Sequence, residues 1–145
     1  MQRYFQQFQK TAAKGIVTLY ANVSIGASGA PTLNYTSSPS APNKSLGIQG
    51  ISRSSAGLYV VTFGDPSNTA LADNYTYLVD FDYSILYDTV SVIGNGQVFA
   101  DNSASGTVSI QFYGATSSST TTNVATDPDN GAVLLLRFVL KQGII

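Results

Sequence analysis

YTYLVDFDYSILYD, residues 75–88, puts Tyr77, Val79, Phe81, Tyr83, Ile85 and Tyr87 on one side of an extended chain and Asp80, Asp82 and Ser84 on the other. Successive side chains of a strand point to opposite faces, so this alternation predicts a long strand with one apolar and one wet side. The same period runs through residues 16–25, where Val17, Leu19, Ala21, Val23 and Ile25 alternate with Thr18, Tyr20, Asn22 and Ser24. LGIQGISRS (46–54) and GLYVVTFGDPSN (57–68) read as two more strands, each followed by turn residues. Further strands are expected near Thr89 to Ile93, Gln97 to Ala100, Gly106 to Gly114 with Val108, Ile110 and Phe112 inward, and Ala132 to Gln142. GNG at 94–96 reads as a hairpin signal. The expected fold is therefore all-β, a β-sandwich or jelly-roll of about eight antiparallel strands. No internal repeat is visible.

The last of these strands, AVLLLRFVLK (132–141), is apolar on both sides except for Arg137 and Lys141. A strand of this kind in a small sandwich needs cover on both faces. Subunit contact through Leu134, Leu136, Phe138 and Leu140 is the expected cover, which makes the chain a homo-oligomer; closure by a long loop is the other solution. Such a loop exists in GASGAPTLNYTSSPSAPNKS (26–45), dense in Gly, Pro, Ser and Asn, with room for a short strand at Pro31 to Tyr35.

Composition agrees with the pattern. The 145 residues suffice for one domain, and the 32 Ser and Thr against 10% charged residues describe a hydroxyl-rich β surface rather than a helical one. His, Cys, Trp and Glu are absent. Without His or Cys the chain lacks the usual neutral-pH general base, thiolate ligands and a cysteine nucleophile, which lowers the expectation of an enzyme. No apolar run reaches the length of a membrane span, and MQRYFQQFQK lacks the apolar stretch of a signal peptide, so the protein is expected to be made in the cytoplasm and used without membrane insertion. Asn22, Asn34, Asn43 and Asn74 head glycosylation sequons of the kind that arise by chance in so Ser- and Thr-rich a chain.

Charge is segregated along the chain. Arg3, Lys10, Lys14, Lys44 and Arg53 precede every acid, all eight Asp lie between residues 55 and 130, and Arg137 and Lys141 follow. Residues 1–15 stand apart from the sandwich domain of 16–145. Tyr4, Phe5, Phe8 and Ala12 fall at helical spacings of three and four, with Gly15 marking the end. Three turns of helix are marginal alone in water, so this arm either packs on its own domain or binds something else.

Candidate sites are few. Asp127 and Asp129 in TDPDNG have the spacing of two calcium ligands in a loop, but no terminal Glu follows, and Pro128, Asn130 and Gly131 explain the stretch as a turn into a strand. Asp80 and Asp82, with Asp101 or Asp88, could form an oxygen cage or a retaining glycosidase-like carboxylate pair, or remain a solvated face, the last being the expectation. No phosphate-binding glycine motif and no basic–aromatic interleaving beyond the arm point to nucleotides or nucleic acid. No catalytic set, metal or cofactor is expected.

SRSSAGLYVVTFGDPSN (52–68) and VSIQFYGATSSSTTTNVATDPDNGAVLLLRFVLKQ (108–142) carry a resemblance. With their R-x-x-x-G-x-Y-x-V-x-F-x-D and ATDP-x-x-G-x-x-L-L-L-x-F patterns, they resemble small virion structural proteins of tailed bacteriophages, over roughly residues 48–142. The resemblance implies a capsid decoration, or cement, protein on the outside of the head shell. Such a protein acts as a homotrimer with the major capsid protein as partner. Arg3, Tyr4, Phe5, Phe8, Lys10 and Lys14 would then be the anchor to the shell. The alternative is a head- or tail-fibre knob whose 26–45 and SSSTTTN loops bind a host receptor or glycan.

Overall fold

A computed structural model describes residues 15–35, 45–64, 75–88, 93–115 and 123–142. The described chain is an all-β sandwich of two antiparallel sheets. Its strands are β1 (Ile16–Ile25), β2 (Pro31–Leu33), β3 (Ile48–Ser55), β4 (Leu58–Phe63), β5 (Tyr75–Leu86), β6 (Ile93–Asn102), β7 (Thr107–Ala115), β8 (Asn123–Ala125) and β9 (Val133–Gln142). Sheet A runs β2-β1-β9-β5; sheet B runs β3-β4-β7-β6, with β8 pairing the end of β7. Residues 1–14 of the expected arm and residues 89–92 of the strand expected near Thr89 to Ile93 lie outside the described residues, Ile93 opening β6.

The core follows from the period-two pattern. Val17, Leu19, Ala21, Val23 and Ile25 of β1 are all buried, as are Leu134, Leu136, Phe138 and Leu140 of β9 beside them. Tyr59, Val61, Val108, Ile110 and Phe112 close the core from sheet B. Phe138 sits at its centre, its ring 5.1 Å from that of Phe81 on the same sheet and 5.3 Å edge-on from that of Phe63 opposite. Each such side chain contributes about 1.5–3 kcal/mol by leaving water.

This arrangement corrects the expected subunit interface. Leu134, Leu136, Phe138 and Leu140 are at most 2% exposed within the single chain, so sheet B of the same molecule covers them, not a neighbouring subunit. The outward side of β9, with Val133, Leu135, Arg137 and Val139, is the side left partly open.

The alternation in β5 is also broken where the sequence looks continuous. Leu78 pairs with Leu140 and Asp80 with Val139, so Val79 is an extra residue in a bulge. A one-residue slip reverses every side chain on one side of it. Phe81, Tyr83 and Ile85 pack on the core as expected, whereas Leu78 takes the inward place and Tyr77 and Val79 are 58% and 55% exposed. Tyr87, also expected inward, lies past the strand end with a left-handed φ of 62° and an exposed side chain. GNG at 94–96 forms part of β6 rather than a hairpin. Gly96 is small there because an added Cβ would lie 2.8 Å from the rings of Phe112 and Tyr83.

Candidate functional site

The densest polar constellation in the described chain is built on Asp127. The turn between β3 and β4 holds Gly57 in the left-handed region (φ 67°), which aims its N–H at Asp127 Oδ1, 2.8 Å away. Arg53, four residues earlier on β3, donates through Nε to Oδ1 (2.9 Å) and through Nη2 to Oδ2 (2.8 Å). The Tyr59 hydroxyl, on a fully buried side chain, lies 3.1 Å from Oδ1 and 3.0 Å from the Gly29 carbonyl oxygen. Gly29 itself is left-handed (φ 75°), and a Cβ there would lie 2.5 Å from the Asp127 carboxyl carbon.

Four contacts from three residues thus converge on one carboxylate, three on Oδ1 and one on Oδ2, and the Tyr59 hydroxyl shares its proton between Oδ1 and the Gly29 carbonyl oxygen. The bidentate Arg53 pair is the strong form of such a bond. What the arrangement does is mechanical: it ties the β3–β4 hairpin of sheet B, the turn after β1 in sheet A and the segment leading into β9 at one point. The expected turn at 127–131 is present, closed by Ala132 N–H to Asp129 O (3.0 Å) and Gly131 N–H to Ile25 O (2.8 Å).

Electrostatics follow the geometry. Burial alone would raise the Asp127 carboxyl, but its bonds from Arg53, Gly57 and Tyr59 outweigh this and hold it below the usual carboxylate range. The Tyr59 phenol is pushed up by burial and then by the Asp127 charge, so it stays a donor. A carboxyl whose folded value is lowered adds stability above its unfolded value, near pH 4, and loses it as pH falls through the folded value. Asp88 runs the other way: burial raises its carboxyl, against the N–H of Asp129 that it accepts (3.0 Å). Its contribution is present at low pH and is lost as pH rises through the folded value. Urea midpoints between about pH 5 and pH 2 should therefore fall less steeply in Asp127→Asn than in the parent chain, and more steeply in Asp88→Asn. Parallel slopes in all three proteins would refute the assignment.

The second constellation lies on the outer face of sheet A. Arg137 Nη2 is 3.1 Å from Asp80 Oδ2 and 3.7 Å from Asp82 Oδ2, all three side chains being open to solvent. Exposed pairs of this kind contribute about 0–1 kcal/mol. Tyr20, Asn22, Asp82, Ser84, Leu135 and Arg137 line a shallow hollow of about 360 Å³ there. Asp101 and Asp88 do not join Asp80 and Asp82: Asp101 accepts the N–H of Ser103 (2.9 Å), and Asp88 that of Asp129. The arrangement is a solvated, ion-paired face, without the buried acid that glycoside hydrolysis uses.

Of the residues predicted for partner binding, Arg3, Tyr4, Phe5, Phe8, Lys10 and Lys14 lie outside the described residues. The Asp127 cluster escaped sequence reading because Arg53 and Asp127 are 74 positions apart. The available signal was the conjunction of one Arg, two glycines and a Tyr with an Asp at a turn. Among the described residues no three potential ligands gather as a metal site, and no helix is long and apolar enough to cross a membrane. No family model, curated protein or solved structure matches the chain.

Proposed function

We propose that the chain is a virion structural protein of a tailed bacteriophage, a decoration protein that binds the outside of the head shell as a homo-oligomer and stabilises it. The observation that carries the reading is the pair of segments 52–68 and 108–142, which resemble such proteins. A physical reason for their pairing supports it: Arg53, Gly57 and Tyr59 of the first segment all bond Asp127 of the second. The shared features thus specify a scaffold, and in this reading the protein acts by binding.

In this reading the partner is the major capsid protein. Arg3, Tyr4, Phe5, Phe8, Lys10 and Lys14 supply the contact, aromatic and Arg side chains being the usual energetic centres of interfaces. A trimer multiplies weak single contacts by raising the effective concentration of each arm once the first has bound. The test is sedimentation of purified protein with undecorated heads. The expected result is a fixed ratio to the shell protein, falling at least tenfold when Tyr4, Phe5 and Phe8 are together replaced by Ser. Protein that stays in the supernatant at any head concentration would refute the reading.

A receptor-binding knob is the second reading, favoured by the hollow that exposed Tyr20 shares with Asn22, Asp82 and Arg137. An aromatic face beside hydrogen-bonding groups suits a sugar ring. Binding to host cells without binding to heads is the result expected from a knob.

A further inference from the structure

Among the described residues, sheet A ends in β2 and β5 and sheet B in β3 and β6. The outer edge of such a strand presents N–H and C=O groups on which another chain can add a strand, and proteins close these edges with bulges, proline or charge. Three of the four are broken within a few residues. β2 is short and begins on Pro31, β3 shifts register at Gln49 and Ser54, and β6 shifts at Gly94 and Phe99. β5 shifts at Thr76 and Val79, but from Asp80 to Leu86 it keeps step with β9 without a break, the longest such stretch on these edges.

The direction of its backbone groups follows from the far side of the sheet. Tyr20 exchanges both backbone bonds with Leu46 (3.0 and 2.7 Å), so its N–H and C=O face away from β9. Arg137, opposite Tyr20, therefore turns its own towards β5, where Asp82 is its partner. The next residue, Tyr83, and with it Phe81 and Ile85, presents N–H and C=O to the outer edge. There the Tyr83 N–H is already taken, since Asp82 Oδ1 accepts it at 2.9 Å. The other oxygen, Oδ2, lies 3.7 Å from Arg137 Nη2, so a single carboxylate is held between the cation and the edge. Beyond the bulge, Ser103 Oγ accepts the Leu78 N–H in the same manner (3.1 Å).

We propose that Asp82 closes the β5 edge to strand addition by a second copy of this chain, by occupying the Tyr83 N–H that the incoming strand needs. The strand itself names the occupant. A twofold axis at Tyr83 brings two β5 strands together antiparallel with Phe81 opposite Ile85 and Asp82 opposite Ser84, so no like charges meet and both core sides stay on one side of the joined sheet. Phe81, Tyr83 and Ile85 are all strong strand formers. Charge therefore does not forbid this pairing, and the occupied N–H does. The inference does not rest on the shell reading, and an oligomer of that reading uses another surface.

The test compares Asp82→Ala, Asp82→Asn and Asp80→Ala with the parent chain by light scattering over a concentration series, with amide exchange followed residue by residue. Asp82→Asn keeps an acceptor for the Tyr83 N–H but removes the charge. Asp80→Ala removes a charge from the same face and the same Arg137 partner and leaves the Tyr83 bond in place. The expected result is self-association about tenfold tighter in Asp82→Ala than in the parent, with the other two unchanged. Exchange at Phe81, Tyr83 and Ile85 should slow as the concentration of Asp82→Ala rises. The contrast between positions 82 and 80 should hold with Val in place of Ala, which keeps the strand where Ala loosens it. Equal association in Asp82→Ala and in Asp80→Ala or Asp82→Asn assigns the effect to charge and overturns the proposal. Parental behaviour at position 82 with both Ala and Val, or slowed exchange outside residues 81–85, overturns it as well.

Discussion

Phe138→Ala is expected to destabilise the isolated chain by about 4 kcal/mol, the usual range for an aromatic deleted from a core being about 3–5 kcal/mol. The ring is fully buried between Phe81 beside it and Phe63 opposite, and both neighbours are held by strands that cannot close the gap without moving a sheet. The midpoint of urea unfolding should drop by the same amount at low and at high protein concentration. A loss that grows on dilution would mean that oligomer contacts carry the residue, since association links stability to protomer concentration. Leu135→Ala, three positions along the same strand and facing outward, is expected to cost less than about 1 kcal/mol in the same assay.

The second large effect is expected at Asp127. Asp127→Ala leaves the Gly57 N–H and the Arg53 guanidinium short of an acceptor at once, and leaves the Tyr59 hydroxyl only the Gly29 carbonyl oxygen. A hydrogen bond to a charged group contributes about 1.5–3 kcal/mol, and orphaning partly buried donors adds to the loss, so a total of about 3 kcal/mol is expected after allowance for solvent access. At this chain length that corresponds to a fall in Tm of roughly 10 °C. Because the groups act as one unit, Arg53→Met should cost much less on the Asp127→Ala background than alone. Additive losses in the double variant would show that Arg53 acts independently of the carboxylate. Gly29→Ala tests the same point from the other side, since its Cβ would push directly on the carboxyl.

The strands were readable where one residue type alternates with another over a full element. β1 and β7 follow the period-two reading, and the turn at 127–131 follows from Pro128, Asn130 and Gly131. The bulge at Val79 was not readable, because Tyr, Leu and Val fit either face of a pleated strand and only pairing with β9 shows the slip. For the same reason the sequence of β9 suggests a subunit on its Leu134–Leu140 side: a sequence shows that a strand is apolar on both sides, not which sheet lies over it. The Asp127 cluster fell outside local reading altogether, since its donors come from residues 53, 57 and 59 and the neighbouring turn from Gly29. The functional reading rests on motifs whose residues turn out to build this junction, and motifs of that kind inform on the scaffold before they inform on the partner.

The position of β9 has a consequence for how the molecule is made. It lies between β1 and β5 at the middle of sheet A, yet it is the last of the described strands in chain order, and its Lys141 pairs with Ile16. During synthesis β1 emerges before the other described strands, and its Val17, Leu19 and Ala21, which β2 does not reach, must wait for a strand partner until residues 26–132 and then β9 have left the ribosome. Closing so distant a pairing is entropically slow, and chains dominated by such pairings fold in milliseconds to seconds rather than microseconds. A nascent chain in that interval is exposed to aggregation. The yield of native protein should therefore depend on translation speed and on chaperones that hold β1 more than on the final stability of the sandwich.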